Sequence, residues 1–239
     1  RTLVCDYETR TLNVPQPAPD VETPVWRVKY TSNAANAFSD SVTSCATNAL
    51  ISGMTIACFS GSAIGATYYE SQTLVENCRF IGNSQSVQDG VVDVRGSLQM
   101  RHCDFRYNHG GVDFKTANDT RLSVVDDCTF YCNEICKSRV FRYKSSNVPL
   151  TTSNCRFEDN VYTANHVTSS IEFSGLGCTI SNWVVRNTRT CLHPKLGTSH
   201  QANGHIKLSN GNLTFVRCRF EDNLLDYSEL SLGLSAQSA

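Results

Sequence analysis

A six-residue pattern, C-x-F-x-x-N, recurs along this chain of 239 residues and limits the folds open to it. Five complete copies occur, and the steps between the first four are 25, 25 and 27 residues long. A degenerate copy occupies residues 182–187, with Asn187 taken as its closing asparagine. Near-constant spacing of this kind indicates a structural repeat. The repeated residues are Cys78, Phe80, Asn83, Cys103, Phe105, Asn108, Cys128, Phe130, Asn133, Cys155, Phe157, Asn160, Cys218, Phe220 and Asn223.

Each period divides into three short strands in which apolar residues alternate with polar ones. Residues 92–94 represent the first strand, residues 98–100 the second, and the Cys-x-Phe segment is the third. A period of roughly 20 to 27 residues with this alternation is typical of one coil of a parallel β-helix. We therefore predict an all-β, right-handed parallel β-helix of about six to eight coils, open at its C-terminal end.

The residue types of the repeat suit the interior of such a solenoid. Successive coils stack about 4.8 Å apart, so each inward side chain faces its own copy in the next coil. Small Cys beside large Phe lets these layers fill without voids. A buried Asn at a bend can bond backbone groups that the turn leaves unpaired, and also the Asn above and below it.

The two ends of the chain differ from the repeat. Residues 1–25 are rich in proline and lack alternation, which predicts an extended N-terminal cap or linker before a β-helix domain at 26–239. Residues 26–30 could form the first strand of an incomplete coil, and residues 230–234 begin a new one. An open coil leaves an unpaired edge, so we expect either a longer solenoid or a second chain stacked on that end.

Composition narrows the class of protein. The formal net charge is −1, which gives no basic footprint for nucleic acid, and no apolar run is long enough to span a bilayer. Twelve cysteines occur without C-x-x-C pairs or Cys/His clusters, which argues against zinc, and no cofactor is expected. Glycosylation sequons at Asn118 and Asn212, together with the cysteines, favour an extracellular setting.

The cysteines of the repeat are predicted to be unpaired. Stacking separates their Cβ atoms by about 4.8 Å, just beyond the usual disulfide range. Cysteines outside the repeat are better candidates, because Cys132, Cys136 and Cys191 lie in or near bends, and Cys5 and Cys45 could pin the N-terminal cap.

One outward row on the first strands is charged: Asp93, Asp113, Arg142, Glu172 and Lys207. As an enzyme site, Asp93 and Asp113 would form a carboxylate pair for glycoside cleavage, with Arg142 and Lys207 binding an acidic sugar. The alternative, which we favour, is a ladder of surface charges, since two carboxylates about 5 Å apart repel by only roughly 1–3 kcal/mol.

Over residues 51–223 the C-x-F-x-x-N units resemble the repeats of polymorphic outer-membrane proteins, and segments 61–64 and 110–112 partly match a Gly-Gly-Ala-Ile segment of that family. The resemblance implies a right-handed β-helix for surface display, adhesion or fibre building, and transfers no catalytic residue. We expect a non-catalytic, secreted or cell-surface scaffold within a larger protein or assembly. Its partners would be other subunits, the rest of a longer chain, or its own copies. The alternatives are a polysaccharide lyase or hydrolase, and a glycan-binding module that uses Tyr107 and Tyr131.

Overall fold

The computed structural model is an all-β solenoid of stacked parallel strands, which confirms the predicted fold class. It describes residues 2–6, 11–13, 48–57, 59, 61–66, 72–83, 90–116, 121–135, 139–145, 148–164, 171–175, 177–192, 206–209 and 211–224. Within these residues the strands form four sheets, called sheets I to IV here. The number of coils in the whole chain and its open C-terminal end stay predictions.

Sheets I and II contain the first and second strands of successive coils. Sheet I consists of β5 (Ile64–Ala66), β8 (Val92–Val94), β11 (Val112–Thr116), β15 (Phe141–Ser145), β19 (Ile171–Ser174) and β23 (Ile206–Ser209). Sheet II consists of β3 (Asn48–Ser52), β6 (Gln72–Glu76), β9 (Ser97–Arg101), β12 (Ser123–Asp126), β16 (Leu150–Ser153), β20 (Cys178–Ser181) and β24 (Leu213–Val216).

Sheet III contains the third strands, and the small sheet IV follows it in three coils. Sheet III consists of β1 (Thr2–Asp6), β2 (Thr11–Asn13), β4 (Thr55–Ala57), β7 (Arg79–Ile81), β10 (Asp104–Arg106), β13 (Thr129–Tyr131), β17 (Arg156–Glu158), β21 (Val184–Arg186) and β25 (Arg219–Glu221). Sheet IV consists of β14 (Glu134–Ile135), β18 (Val161–Ala164) and β22 (Arg189–Leu192).

The phenylalanines of the repeat form one buried file. Phe80, Phe105, Phe130 and Phe157 are register partners in adjacent strands, and all four are fully buried. Their ring centroids lie 4.6, 4.8 and 4.6 Å apart in stacked geometry. This ring spacing matches the separation of paired strands, about 4.8 Å, so each coil lies directly over the one before it.

The closing asparagines form a continuous hydrogen-bonded column. The backbone N–H and side-chain Nδ2 of Asn108 both donate to Oδ1 of Asn133, each at 3.0 Å. The same Nδ2 donates to the carbonyl of Phe80 at 2.9 Å. Asn83 and Asn133 repeat this arrangement with their own neighbours. The column therefore satisfies buried backbone groups at a bend that no strand pairing reaches.

Two corners of each coil are made by residues with positive φ. One corner joins sheets II and III, as at Asn77 with φ 53° and Asp127 with φ 49°. The other precedes the closing position, as at Gly82 with φ 62° and Asp159 with φ 55°. Asn, Asp and Gly adopt this left-handed conformation at the least cost, which explains why polar pairs recur at the first corner.

The coil that contains β21 departs from the predicted register. Val185 pairs with Phe157, so Trp183 takes the cysteine position and Thr188 takes the closing position. The assignment of Asn187 as the closing asparagine is therefore wrong: Asn187 is exposed with φ 51°, whereas Thr188 is buried. The asparagine at position 187 suggested the wrong closing residue. The alternation of buried and exposed residues sets the strand pairing instead, and it places Thr188 there.

The coil that contains β4 has its own substitutions. Ile56 pairs with Phe80, which places Met54 at the cysteine position and Phe59 at the closing position. The Phe59 N–H donates to Oδ1 of Asn83 at 3.0 Å, so the asparagine column ends on a backbone donor. This coil thus has Met54, Ile56 and Phe59 where the repeat has Cys, Phe and Asn.

At the N-terminal side, β1 pairs antiparallel with β2 and parallel with β4. The predicted domain boundary at residue 25 and the predicted strand at residues 26–30 lie outside the described residues.

Candidate functional site: the charged row of sheet I

The predicted row of charged residues exists as a continuous column. Sheet I pairs Asp93 with Asp113, Asp113 with Arg142, Arg142 with Glu172, and Glu172 with Lys207. With strands about 4.8 Å apart, the row extends over roughly 20 Å along the solenoid. The side chain of Lys207 lies outside the described part of the chain.

The row is more deeply buried than a ladder of surface charges. Asp113 is only 5% exposed and Glu172 only 6%. The description of these residues as surface charges is therefore wrong for both carboxylates. Burial of a charged group is costly unless an opposite charge accompanies it, so the cationic neighbours of the row decide its stability.

Asp113 is held by cations from its own coil and the next. Nε of Arg142 donates to Oδ1 of Asp113 at 2.6 Å, and Nη2 of Arg142 contacts Oδ2. Nζ of Lys115, two residues along β11, lies 3.8 Å from Oδ2. Bidentate contact between a guanidinium and a carboxylate is the strongest form of such a pair. Here it bridges two coils.

Glu172 has a different cationic partner, Arg139. Nε of Arg139 lies 2.5 Å from Oε2 of Glu172, without hydrogen-bond alignment between the two atoms. Arg139 precedes β15, so this contact also joins neighbouring coils. Sequence reasoning missed Arg139 because it lies before the alternating segment. Lys115 could have been found, since it is the next outward position after Asp113.

Close backbone packing accompanies the row. Gly111 lies immediately before β11, and a Cβ there would collide with the carbonyl oxygen of Val140. The Gly111 carbonyl accepts the N–H of Val92 at 3.2 Å, while the N–H of Val112 donates to the Val140 carbonyl at 2.8 Å. Position 111 therefore requires glycine, because the backbones of three neighbouring coils pack closely there, at the start of their sheet I strands.

In chemical terms the row works best as a set of clamps between coils. Asp113 has both oxygens engaged by Arg142, which leaves it little capacity to bind a substrate proton or a sugar hydroxyl. The feature that still suits glycoside chemistry is the adjacency of Asp93 and Asp113 in the register. Among the described residues no group of three or more His, Cys, Asp or Glu is arranged to hold a metal ion.

The cysteines of the repeat are buried thiols. Cys78, Cys103, Cys128 and Cys155 are free, as the stacking distance predicts. Each thiol donates to backbone carbonyls. Cys103 Sγ, for example, lies 3.2 Å from the Arg101 carbonyl and 3.6 Å from that of Val75. Burial raises the pKa of the Cys128 thiol well above its usual value. A protonated, enclosed thiol such as that of Cys128 is an inert packing group.

Cys132, one of the candidates for a disulfide, is a free, half-buried thiol. It lies at the corner with positive φ, where the neighbouring coils supply Tyr107 and Asp159 at the same position. No cysteine therefore stands above or below it among the described residues. The side chains of Cys5 and Cys191, and the whole of Cys45 and Cys136, lie outside the described part of the chain.

Of the two glycosylation sequons, only the one at Asn212 lies within the described residues. Asn212 and Thr214 are both exposed, at the start of β24 on the outer surface of sheet II. A glycan at Asn212 would thus extend into solvent. Asn118 lies outside the described residues.

The two predicted glycan-contacting tyrosines are neighbours at the edge of sheet III, where Tyr131 ends β13 and Tyr107 follows β10. Tyr107 is 57% exposed and its ring centroid lies 6.3 Å from that of Tyr131, with the ring planes at 75°. The Arg106 guanidinium lies over the Tyr131 ring, with its Cζ 5.6 Å from the centroid.

A scan against protein-family models gives no match to this chain, and searches of curated proteins and of solved structures give none either. No described segment forms a helix with the length and hydropathy needed to cross a bilayer.

Proposed function

We propose that this chain is a non-catalytic β-helix of a secreted or cell-surface protein, where it serves as a rigid spacer and adhesive display scaffold. The observation that carries the proposal is the unbroken vertical register of the interior. Phenylalanine rings stack at 4.6 to 4.8 Å through four coils, and the asparagine column runs beside them. An interior of identical, interlocked layers resists bending, which suits a structural element.

The charged row supports the same role. Arg142 joins Asp113 across one coil boundary, and Arg139 joins Glu172 across another. These residues tie successive coils together, so their charges are used for cohesion. The resemblance of the repeat to polymorphic outer-membrane proteins adds the expectation of surface display, with other subunits, a longer chain or further copies as partners.

Mechanical and enzymatic measurements test this proposal together. In single-molecule pulling, a rigid solenoid should lengthen in discrete steps, each corresponding to the release of one or more coils. In parallel, the purified chain should release no reducing or unsaturated ends from pectin, alginate, xylan or cellulose. Smooth extension at low force, or polysaccharide cleavage, would contradict the scaffold role.

The adjacency of Asp93 and Asp113 supports a second candidate, a carbohydrate-active β-helix enzyme. Its test is cleavage of the same polysaccharides by the parent protein, with loss of activity in Asp93→Asn and Asp113→Asn. Asp222→Asn is the matched control, because it removes an exposed carboxylate from the corner after β25, at a φ of 53° that asparagine also adopts.

A further inference from the structure

The outer surface of sheet III departs from the repeat in two neighbouring coils. The corner position before the closing residue is Gly82, Asp159, Asn187 and Asp222 in four described coils. These residue types suit a positive φ. In the coil between those of Gly82 and Cys132 the same position is Tyr107, with φ 56°. A substitution that breaks the repeat without joining its core calls for an explanation other than packing.

Tyr107 contributes little to stability at this place. Its side chain is 57% exposed, and its backbone adopts a conformation that is unfavourable for a bulky residue. The positive φ belongs to this corner in the other described coils as well, so Tyr107 is distinguished by a large, exposed side chain at a position that elsewhere carries Gly, Cys, Asp or Asn. The backbone N–H of Tyr107 donates to the Tyr131 carbonyl at 3.3 Å, so the main chain holds the ring at a fixed place.

The neighbours of Tyr107 complete a small aromatic and polar surface, which we call the tyrosine patch: Asp104, Arg106, Tyr107 and Tyr131. The rings of Tyr107 and Tyr131 meet at 75° with centroids 6.3 Å apart, which makes an open corner between two aromatic surfaces. Arg106 lies over the Tyr131 ring at 5.6 Å, and its Nε contacts Oδ2 of Asp104 at 2.7 Å. The guanidinium is therefore oriented before any ligand arrives.

We propose that the tyrosine patch binds a sugar unit of a glycan, an inference that rests on the adhesive part of the proposed function. A pyranose ring has an apolar C–H surface that packs on an aromatic ring, and hydroxyls at its rim that bond a guanidinium and a carboxylate. Tyrosine provides rigid, amphipathic contact area of this type at low entropic cost. Arg106 and Asp104 supply donors and acceptors at the edge of the rings.

The size of the patch favours a glycan over a protein partner. It occupies two neighbouring coils, a width on the order of 10 Å, whereas stable protein interfaces bury at least about 1,000 Å². The next coil on one side presents Glu158 and Asp159, and the coil on the other side presents Arg79, half-buried Ile81 and Gly82. The exposed aromatic surface is thus confined to an area that fits one or two sugar units.

The test uses the whole chain on a printed array of cello-, chito- and galacto-oligosaccharides, followed by isothermal titration with the best binder. Tyr107→Asn is the decisive variant, because asparagine suits the positive φ and should leave the thermal midpoint unchanged or higher. We expect at least a tenfold loss of affinity in Tyr107→Asn and in Tyr131→Ser. Leu122→Asn is the matched control, since Leu122 is equally exposed, at 57%, and lies just before β12, away from the tyrosine patch. It should bind as the parent does.

Binding lost in both tyrosine variants with the fold intact supports the proposal. The absence of array binding by the parent, binding that survives Tyr107→Asn, or capture of a protein ligand through the same patch would overturn it. Stepwise extension of the solenoid in pulling experiments would leave the scaffold role standing in each of these cases, so the two proposals fail separately.

Discussion

Replacement of Thr188 by asparagine tests whether the asparagine column stabilises the solenoid. Thr188 occupies the closing position, and its N–H donates to Oδ1 of Asn223 at 2.9 Å. Its buried Oγ1 has no hydrogen-bond partner. The coil before it shows what asparagine achieves, because Oδ1 of Asn160 accepts both the N–H and Nδ2 of Asn133 at 3.0 Å. Thr188 is thus a gap in an otherwise regular column.

The stability expected from Thr188→Asn follows from the number of hydrogen bonds that the new side chain would form. An Oδ1 at position 188 would accept from the Asn160 N–H and Nδ2, and the new Nδ2 would reach the Phe157 carbonyl, as Asn223 Nδ2 reaches that of Val185 at 3.0 Å. Net values per bond are about 0.5–1.5 kcal/mol, so after the entropy of fixing the side chain we expect about 2 kcal/mol of added stability. For a chain of this size that corresponds to roughly 4–8 °C in Tm.

The assay is urea unfolding followed by circular dichroism, with calorimetry for Tm. Asn133→Thr is the reverse change within the column, and it should cost about 2–4 kcal/mol because both acceptor bonds and both donor bonds of the side chain are lost. A Thr188→Asn protein that is no more stable than the parent, alongside an unaffected Asn133→Thr protein, would refute the column as a source of stability.

Three further predictions concern the core, the charged row and the thiols. Phe130→Ala should lower the free energy of unfolding by about 3–5 kcal/mol through cavity formation, whereas Phe220→Ala, at 41% exposed, should cost far less in the same urea titration. Asp113→Asn leaves the guanidinium of Arg142 without its carboxylate and should cost about 3–5 kcal/mol, while the double variant with Arg142→Met should recover most of that loss in thermal denaturation. Burial raises the pKa of the Cys178 thiol from 9.0 to about 11, so the folded state retains a proton that the unfolded state releases. The stability from this group is fully present below pH 9.0 and is lost as the pH rises towards 11, and Cys178→Ala should flatten the fall in Tm over that window.

Much of the architecture could be predicted because one periodicity governs it. The 25-residue steps between Phe80, Phe105 and Phe130 predict the stacking of sheet III. Asp93, Asp113 and Arg142 are 20 and 29 residues apart, and the alternation within each first strand aligns them. A repeat predicts that residues at equivalent positions become neighbours when successive coils stack. The repeat and the alternation together predict the register wherever the C-x-F-x-x-N pattern is kept.

The repeat did not predict how deeply the charged residues are buried, or the register of the coil that lacks the C-x-F-x-x-N pattern. The depth of Asp113 and Glu172 depends on neighbours such as Arg139 that lie outside the alternating strands. Thr188 was missed because an asparagine happens to precede it, and only strand pairing separates the two positions. Residue type identifies a column only where the repeat is kept.

The asparagine column is also directional. Each main-chain N–H in it donates to the side-chain oxygen of the following coil, from Asn83 to Asn108 and from Asn133 to Asn160. The two ends of such a stack are therefore chemically different, one offering acceptors and the other donors. Copies that prolonged the column would have to join head to tail, which gives open fibres and not closed two-fold dimers.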